Sequence, residues 1–258
     1  MKFEARMALA GLCAAVLVFS TSVRADDWDD DEEIPFDEAF VFFELNNTDG
    51  DLGIHAKIDG GPWKRLHIER DADDRKLLDI RVRSSLRRQG LTELFFESAE
   101  PTFDELPPEK FFRRFPEGEY EVEGISTEGE ELESETELTH LMPAPPRPYV
   151  NGMRAAPDCD SELPVVSGDA PIVIRWRPVT MSHPTLGRTG ERIEVVNYEA
   201  VVEIDETPYK VSAILPPTAT SFVVPAEIVA LGDEIKFEIL VREASYNQTA
   251  VESCFEVE

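Results

Sequence analysis

Alternation of apolar and polar residues over the last third of the chain constrains the fold more than any other feature. Ile172, Ile174 and Trp176 recur at every second position with Val173, Arg175 and Arg177 between them, the pattern of a strand with one face on a core. Pro178 ends that strand. Between Val195 and Ile204, Tyr198, Ala200, Val202 and Ile204 fall on one side against Asn197, Glu199 and Glu203. Ile235, Phe237, Ile239 and Val241 alternate in the same way with Lys236, Glu238 and Arg242. Several short strands separated by Pro-, Gly- and Thr-rich turns predict a β-sandwich or barrel.

The order of these segments carries a family resemblance. Ile174-Arg-Trp176 with Pro178-Val179-Thr180, then Tyr198-Glu-Ala-Val-Val, Leu215-Pro-Pro-Thr-Ala-Thr-Ser-Phe-Val-Val-Pro225 and Leu231-Gly-Asp-Glu-Ile-Lys-Phe237, resembles the B, C, E and F strands of fibronectin type III domains. Ala244-Ser-Tyr-Asn-Gln-Thr249 resembles their F to G turn. The resemblance implies a sandwich for roughly the last third of the chain and says little about function, because such sandwiches serve adhesion, spacing and binding alike. One position departs from the pattern: the family's corner tyrosine is Ile235 here, so that corner is expected to be held by packing.

The N-terminus reads as an export signal. Lys2 and Arg6 precede an apolar run from Met7 to Phe19, and Val23-Arg24-Ala25 supplies small side chains where a signal peptidase cuts. The run is shorter than the roughly 20 residues needed to span a bilayer, and Cys13 lacks the small preceding residue of a lipidation site. Residues 1–25 are therefore expected to be removed, giving a periplasmic or secreted chain with no membrane span. An acidic leader, 26–38, is too poor in apolar residues to fold alone and is expected to be disordered, with Trp28 and Phe36 as its anchors. Residues 39–141 read as a first sandwich, immunoglobulin-like, with one helix at Pro107 to Phe115. Phe115-Pro-Glu-Gly-Glu-Tyr120 resembles the approach to a tyrosine corner. The Pro-rich stretch 142–158 reads as an extended linker, and 159–258 as the fibronectin type III-like domain. The fold class is thus all-β, two tandem sandwiches, and the whole resembles exported proteins of bacterial type with a C-terminal fibronectin type III domain.

Charge narrows the partners. Fifty-three Asp and Glu against 25 Lys and Arg give a formal net charge of −28, which repels phosphate backbones and argues against nucleic acid. Such a surface attracts cations or basic partners, or keeps an exported protein soluble. With Cys13 lost in the signal, Cys159 and Cys254 are the remaining cysteines, and an even count in an oxidising compartment favours a disulfide. The first and last strands of a fibronectin-like sandwich run the same way, so the bond requires the segment near Asp158 to Glu162 to fold back along the last strand, bringing the α-carbons within about 7 Å.

Signals for chemistry are sparse. Asn47, Asp49 and Asp51 alternate like the opening of a calcium loop, but Leu52 stands where that loop needs Gly and Ile58 where it needs Glu; a polar turn explains the same residues. Asp71, Asp73 and Asp74 could join them only if the turns meet. A hairpin at Gly60-Gly61-Pro62 would set His55 across from His67, half of a zinc or copper site. No Gly-x-Ser-x-Gly elbow is present, and carboxylate pairs such as Glu97 with Glu100 are too numerous to single out a glycoside hydrolase. Asn46-Asn-Thr48 and Asn247-Gln-Thr249 match glycosylation acceptors. Two classes stay open: an exported, non-catalytic module without a cofactor that binds a glycan, peptide or protein through loops or sheet edges, and a calcium-dependent protein or enzyme with its site in the first domain. Convergence of the Asp49, Asp71 and His55 turns on one cleft would favour the second.

Overall fold

The computed structural model describes residues 33–205 and 207–258; the expected signal and the first part of the expected acidic leader lie outside the described residues. The N-terminal half runs β1 (Glu38–Asn46), β2 (Asp51–Arg70), β3 (Arg75–Arg81), α1 (Leu86–Gln89), β4 (Leu91–Glu97), α2 (Pro108–Arg114), β5 (Gly118–Ser126) and β6 (Glu131–Leu138). The C-terminal half runs β7 (Tyr149–Val150), β8 (Met153–Arg154), β9 (Val165–Val166), β10 (Val173–Arg175), β11 (Val195–Glu203), β12 (Lys210–Leu215), β13 (Ser221–Val223), α3 (Ala226–Val229), β14 (Glu234–Glu243) and β15 (Gln248–Val257). The fold is all-β and sandwich-like. Each half has its own core, one built on Phe43, Ile54, Trp63, Leu66 and Val122, the other on Ile174, Trp176, Tyr198, Phe237 and Phe255.

One sheet nevertheless crosses both halves, in the order β12-β11-β14-β15-β1-β2-β5-β6, with β3 and β4 also on β2 and β9 on β15. The link is a parallel pairing of β1 with β15, Glu44 opposite Gln248 and Asn46 opposite Ala250. Asn247, in the turn between β14 and β15, extends this ladder with its side chain. Its Oδ1 accepts from Phe43 N at 2.8 Å, while Nδ2 donates to Thr139 O at 2.8 Å. The residue is fully buried, so the acceptor motif at Asn247 is closed to glycosylation in the folded protein. His183 makes a second tie across the seam: its Nδ1 accepts from Leu186 N at 3.1 Å, leaving Nε2 to donate to Asn47 Oδ1 at 3.1 Å.

β2 corrects the expected hairpin. It stays extended for 20 residues, first between β1 and β4, then between β3 and β5, with register shifts around Trp63. His55 and His67 therefore lie along one strand, about 40 Å of chain apart, and are no pair. Gly60 serves a different purpose from a turn: a Cβ there would come within 3.1 Å of the Phe36 ring, and one on Gly124 within 2.9 Å of it. The two glycines make a slot for Phe36, which is buried in the first core, and Ile34 bridges to Leu132. The last part of the leader, from Glu33, is thus ordered against the fold.

Residues 142–158 are packed rather than free. Met142 is fully buried, Pro143 O accepts from Thr249 Oγ1 at 2.8 Å, and β7 pairs with β10. The first half contains the tyrosine corner anticipated there, Tyr120 Oη donating to Pro116 O at 2.9 Å. Cys159 and Cys254 are joined, with α-carbons 4.9 Å apart. The fold-back that this requires is supplied by β9, which runs parallel to β15 with Val165 opposite Glu256.

Candidate functional site

Alternation decides which side chains leave the cores. On β1, Val41, Phe43 and Leu45 point inward, which sends Phe40, Phe42, Glu44 and Asn46 to the opposite face. Gly53, His55 and Lys57 share that face on β2; Lys236, Glu238, Leu240 and Arg242 do so on β14; Gln248, Ala250 and Glu252 on β15; Glu199 and Val201 on β11. The registers set Glu44, Gln248 and Arg242 in one row and Glu252, Glu238 and Val201 in another. Among these charged side chains, Val201, Leu240 and Ala250 form a small buried apolar patch.

His55 is the centre of the N-terminal part of this face. It is 2 % exposed and sits between two carboxylates, Nε2 at 3.2 Å from Glu100 Oε1 and Nδ1 at 3.7 Å from Glu44 Oε2. Phe42 and Phe95 flank the ring at 5.4 and 6.0 Å. Glu100 reaches this position because residue 53 is glycine; a Cβ there would collide with its carboxylate. Glu44 accepts from Gln248 Nε2, Gln248 Oε1 accepts from Arg242 Nε at 2.8 Å, and the Arg242 guanidinium lies 6.0 Å from the Phe42 ring centre. A polar chain from Glu100 to Arg242 thus crosses the seam between the halves.

Carboxyl groups crowd this face, and several hold their protons more tightly than a free carboxyl does. Burial, joined by the charges of Glu44, Glu252 and Glu199, pushes the Glu238 carboxyl up to about 8. Burial, with Glu100, Asp49 and Glu252 beside it, pushes Asp51 up to about 6. Glu44 is raised as well, chiefly by burial and against the pull of His55. Lys236 answers two of the carboxylates, at 2.8 Å from Glu252 and 3.7 Å from Glu203.

The residues singled out in the sequence divide by position. Asn47 gives its Oδ1 to His183, Asp49 accepts from Asn46 Nδ2 at 3.1 Å, and Asp51 Oδ1 is buried without a hydrogen-bond partner. Asp71, Asp73 and Asp74 lie at the far end of β2, where Asp73 is held by Arg70 at 2.7 Å; they do not meet the Asp49 turn. Glu97 lies opposite His55 and Glu100 binds it, so this pair flanks an imidazole rather than a sugar cleft. His140 stacks on Phe112 at 4.4 Å and bonds Phe115 O, a packing role. Glu44, Glu238, Arg242, Gln248 and Glu252 were not singled out. Their polar side of each strand was visible, but the β1–β15 pairing that assembles them was not. Among the described residues, no helix is long and apolar enough to cross a membrane.

No family model matches the chain, and no curated protein sequence matches it. Solved structures of low similarity include a bacterial ice-binding adhesin of 1.5 MDa, described for host cell surface retention (10% identity, TM-score 0.26, covering 88% of this chain and 66% of that one). This chain therefore spans just under two thirds of the adhesin chain. The ligand-binding domain of human OSCAR overlays at 12% identity and a TM-score of 0.26, over 84% of this chain and 97% of that one. A two-domain fibronectin type III segment from chicken tenascin gives 8% identity and 0.29, over 86% and 98%.

Proposed function

We propose that this is an exported, non-catalytic binding module that docks a basic segment of a partner protein on the carboxylate-rich face of its continuous sheet. The observation that carries the reading is the cluster of Glu44, Glu100, Glu252 and Asp51 on one face of the sheet, grouped around Glu238, whose carboxyl is pushed up to about 8 and stays protonated at neutral pH. A Lys- or Arg-rich segment supplies the opposing charge, and the Phe42 ring already hosts one guanidinium. Export is supported by the Lys2, Arg6 and Val23-Arg24-Ala25 signal pattern and by the Cys159–Cys254 bond. A calcium ion at the Asn47, Asp49 and Asp51 turn is the second reading, favoured by the unpartnered Asp51 oxygen.

The test is fluorescence anisotropy with a labelled oligolysine peptide across a salt series at neutral pH. Wild type should bind with an affinity that falls steeply with salt. Glu44→Gln/Glu100→Gln/Glu252→Gln should weaken binding about tenfold or more, while a control triple at exposed Glu128, Glu162 and Glu227 should have little effect. Equal losses in both triples would reduce the interaction to overall charge and overturn the docking face. Repeating the titration in calcium and in EGTA separates the second reading, which requires a calcium effect that Asp51→Asn removes.

A further inference from the structure

A second cluster lies on the outer face of the N-terminal half, at the other end of β2, and takes no part in the docking face. His67 and Glu69 project to the same side of β2 two residues apart, and Glu123 on β5 is directly opposite His67. His67 Nε2 contacts Glu123 Oε2 and lies 3.7 Å from Glu69 Oε2. One ligand atom from each of the three falls within 4.8 Å of the others. Their side chains are 13%, 36% and 15% exposed for His67, Glu123 and Glu69, so they are neither sealed in a core nor waving in solvent. His67 and Glu123 also line a groove of about 220 Å³ whose wall includes Glu131 and Glu133, which gives a ligand room beside them. At this point β2 is paired on both edges, with β3 and β5, so strand backbone rather than a loop holds the donors.

We propose that His67, Glu69 and Glu123 bind one divalent cation of the zinc class. An imidazole nitrogen with two carboxylate oxygens is a donor set for a borderline transition ion, and three protein ligands leave one position for water or a partner's side chain. Calcium, which takes oxygen donors in larger number, is poorly served by an imidazole. In the free protein, Lys76 Nζ stands 3.6 Å from Glu69 Oε2. That lysine is half exposed, and an exposed pair of this kind holds its partners weakly, so the cation displaces it by a side-chain rotation. Glu131 and Glu133 form an outer layer of negative charge around the ion. The site stands on the β2–β5 register and does not depend on the proposed docking function.

Titration calorimetry of the metal-stripped full chain with zinc chloride, paired with visible spectra of the cobalt(II) form, tests the site. One zinc per chain should bind well above the loose background of an acidic surface, and cobalt should give ligand-field absorption characteristic of low coordination. His67→Gln and Glu123→Gln should each weaken zinc at least about tenfold and abolish that absorption, while the exposed pair Glu128→Gln/Glu227→Gln should change neither. Circular dichroism of the metal-free variants establishes that the fold persists; should either fail to fold, Glu69→Gln takes its place, with the same loss expected. Zinc uptake unaffected by the ligand substitutions, or displaced by equimolar calcium, would overturn the assignment.

Discussion

Glu238 and His183 show how single titrating side chains set opposite pH dependences. The folded Glu238 carboxyl titrates near 8 against an ordinary 4.5, so between those values the native state holds more protons than the unfolded chain. Its contribution is intact below the ordinary value and is lost as pH rises through the folded one. His183 is lowered by burial from 6.5, so its neutral form supports the seam above that value and the support is lost as pH falls below it. Glu238→Gln removes the alkaline penalty without changing shape. It is expected to raise Tm by several degrees at pH 9, a gain on the order of 2 kcal/mol, and to do almost nothing at pH 4.5. Thermal melts across that range check this; an equal gain at both ends would show that relief of ionised burial is not the cause.

At the scale of elements, the short β9 has the largest leverage for its length, because it brings Cys159 beside the last strand. The bond closes a loop with a sequence separation of 95, for which chain entropy gives a stabilisation of about 4 kcal/mol. Reduction, or Cys159→Ser with Cys254→Ser, should lower the urea midpoint accordingly, and non-reduced peptide mapping of the exported protein should recover the two cysteines as one linked peptide. Unchanged midpoints on reduction would sink this account. Legibility also divides at this scale. Strands such as β10, β11 and β14 were readable because alternation is a local consequence of burying one face, and α2 because prolines open it. β2 was misread because Gly60-Gly61-Pro62 carries turn chemistry, whereas the glycine at 60 answers to a ring contributed by Phe36, 24 positions upstream, that no local pattern announces. The docking face was hidden for the same reason, since Glu44 and Glu238 look like ordinary solvated residues until the register of distant strands places them together.

Across the whole molecule, Asn247 couples the two halves. Removing its carboxamide strands Phe43 N and Thr139 O in a dry seam, and buried groups left without partners cost about 1–3 kcal/mol each. Asn247→Ala is therefore expected to destabilise the chain by about 2–4 kcal/mol. Asn247→Asp keeps an acceptor for Phe43 but loses the donors and buries a charge, so it should be the worse of the two. Denaturant melts of both variants decide this, and a ranking with alanine lower would show that the lost acceptor for Phe43 N costs more than the buried charge.

The β1–β15 pairing also has a history written into it. Phe43 and Asn247 are 204 residues apart in sequence, so the first strand made is completed by nearly the last one to arrive. Contacts of such long range are slow to form because the intervening chain must be closed first. During synthesis the edge of β1 stays open until the C-terminal half follows it, and an open strand edge is a template for association with other chains. A polypeptide interrupted before Gln248 would keep that edge permanently, so premature termination in the last few residues should yield aggregates in place of a shortened but working N-terminal half.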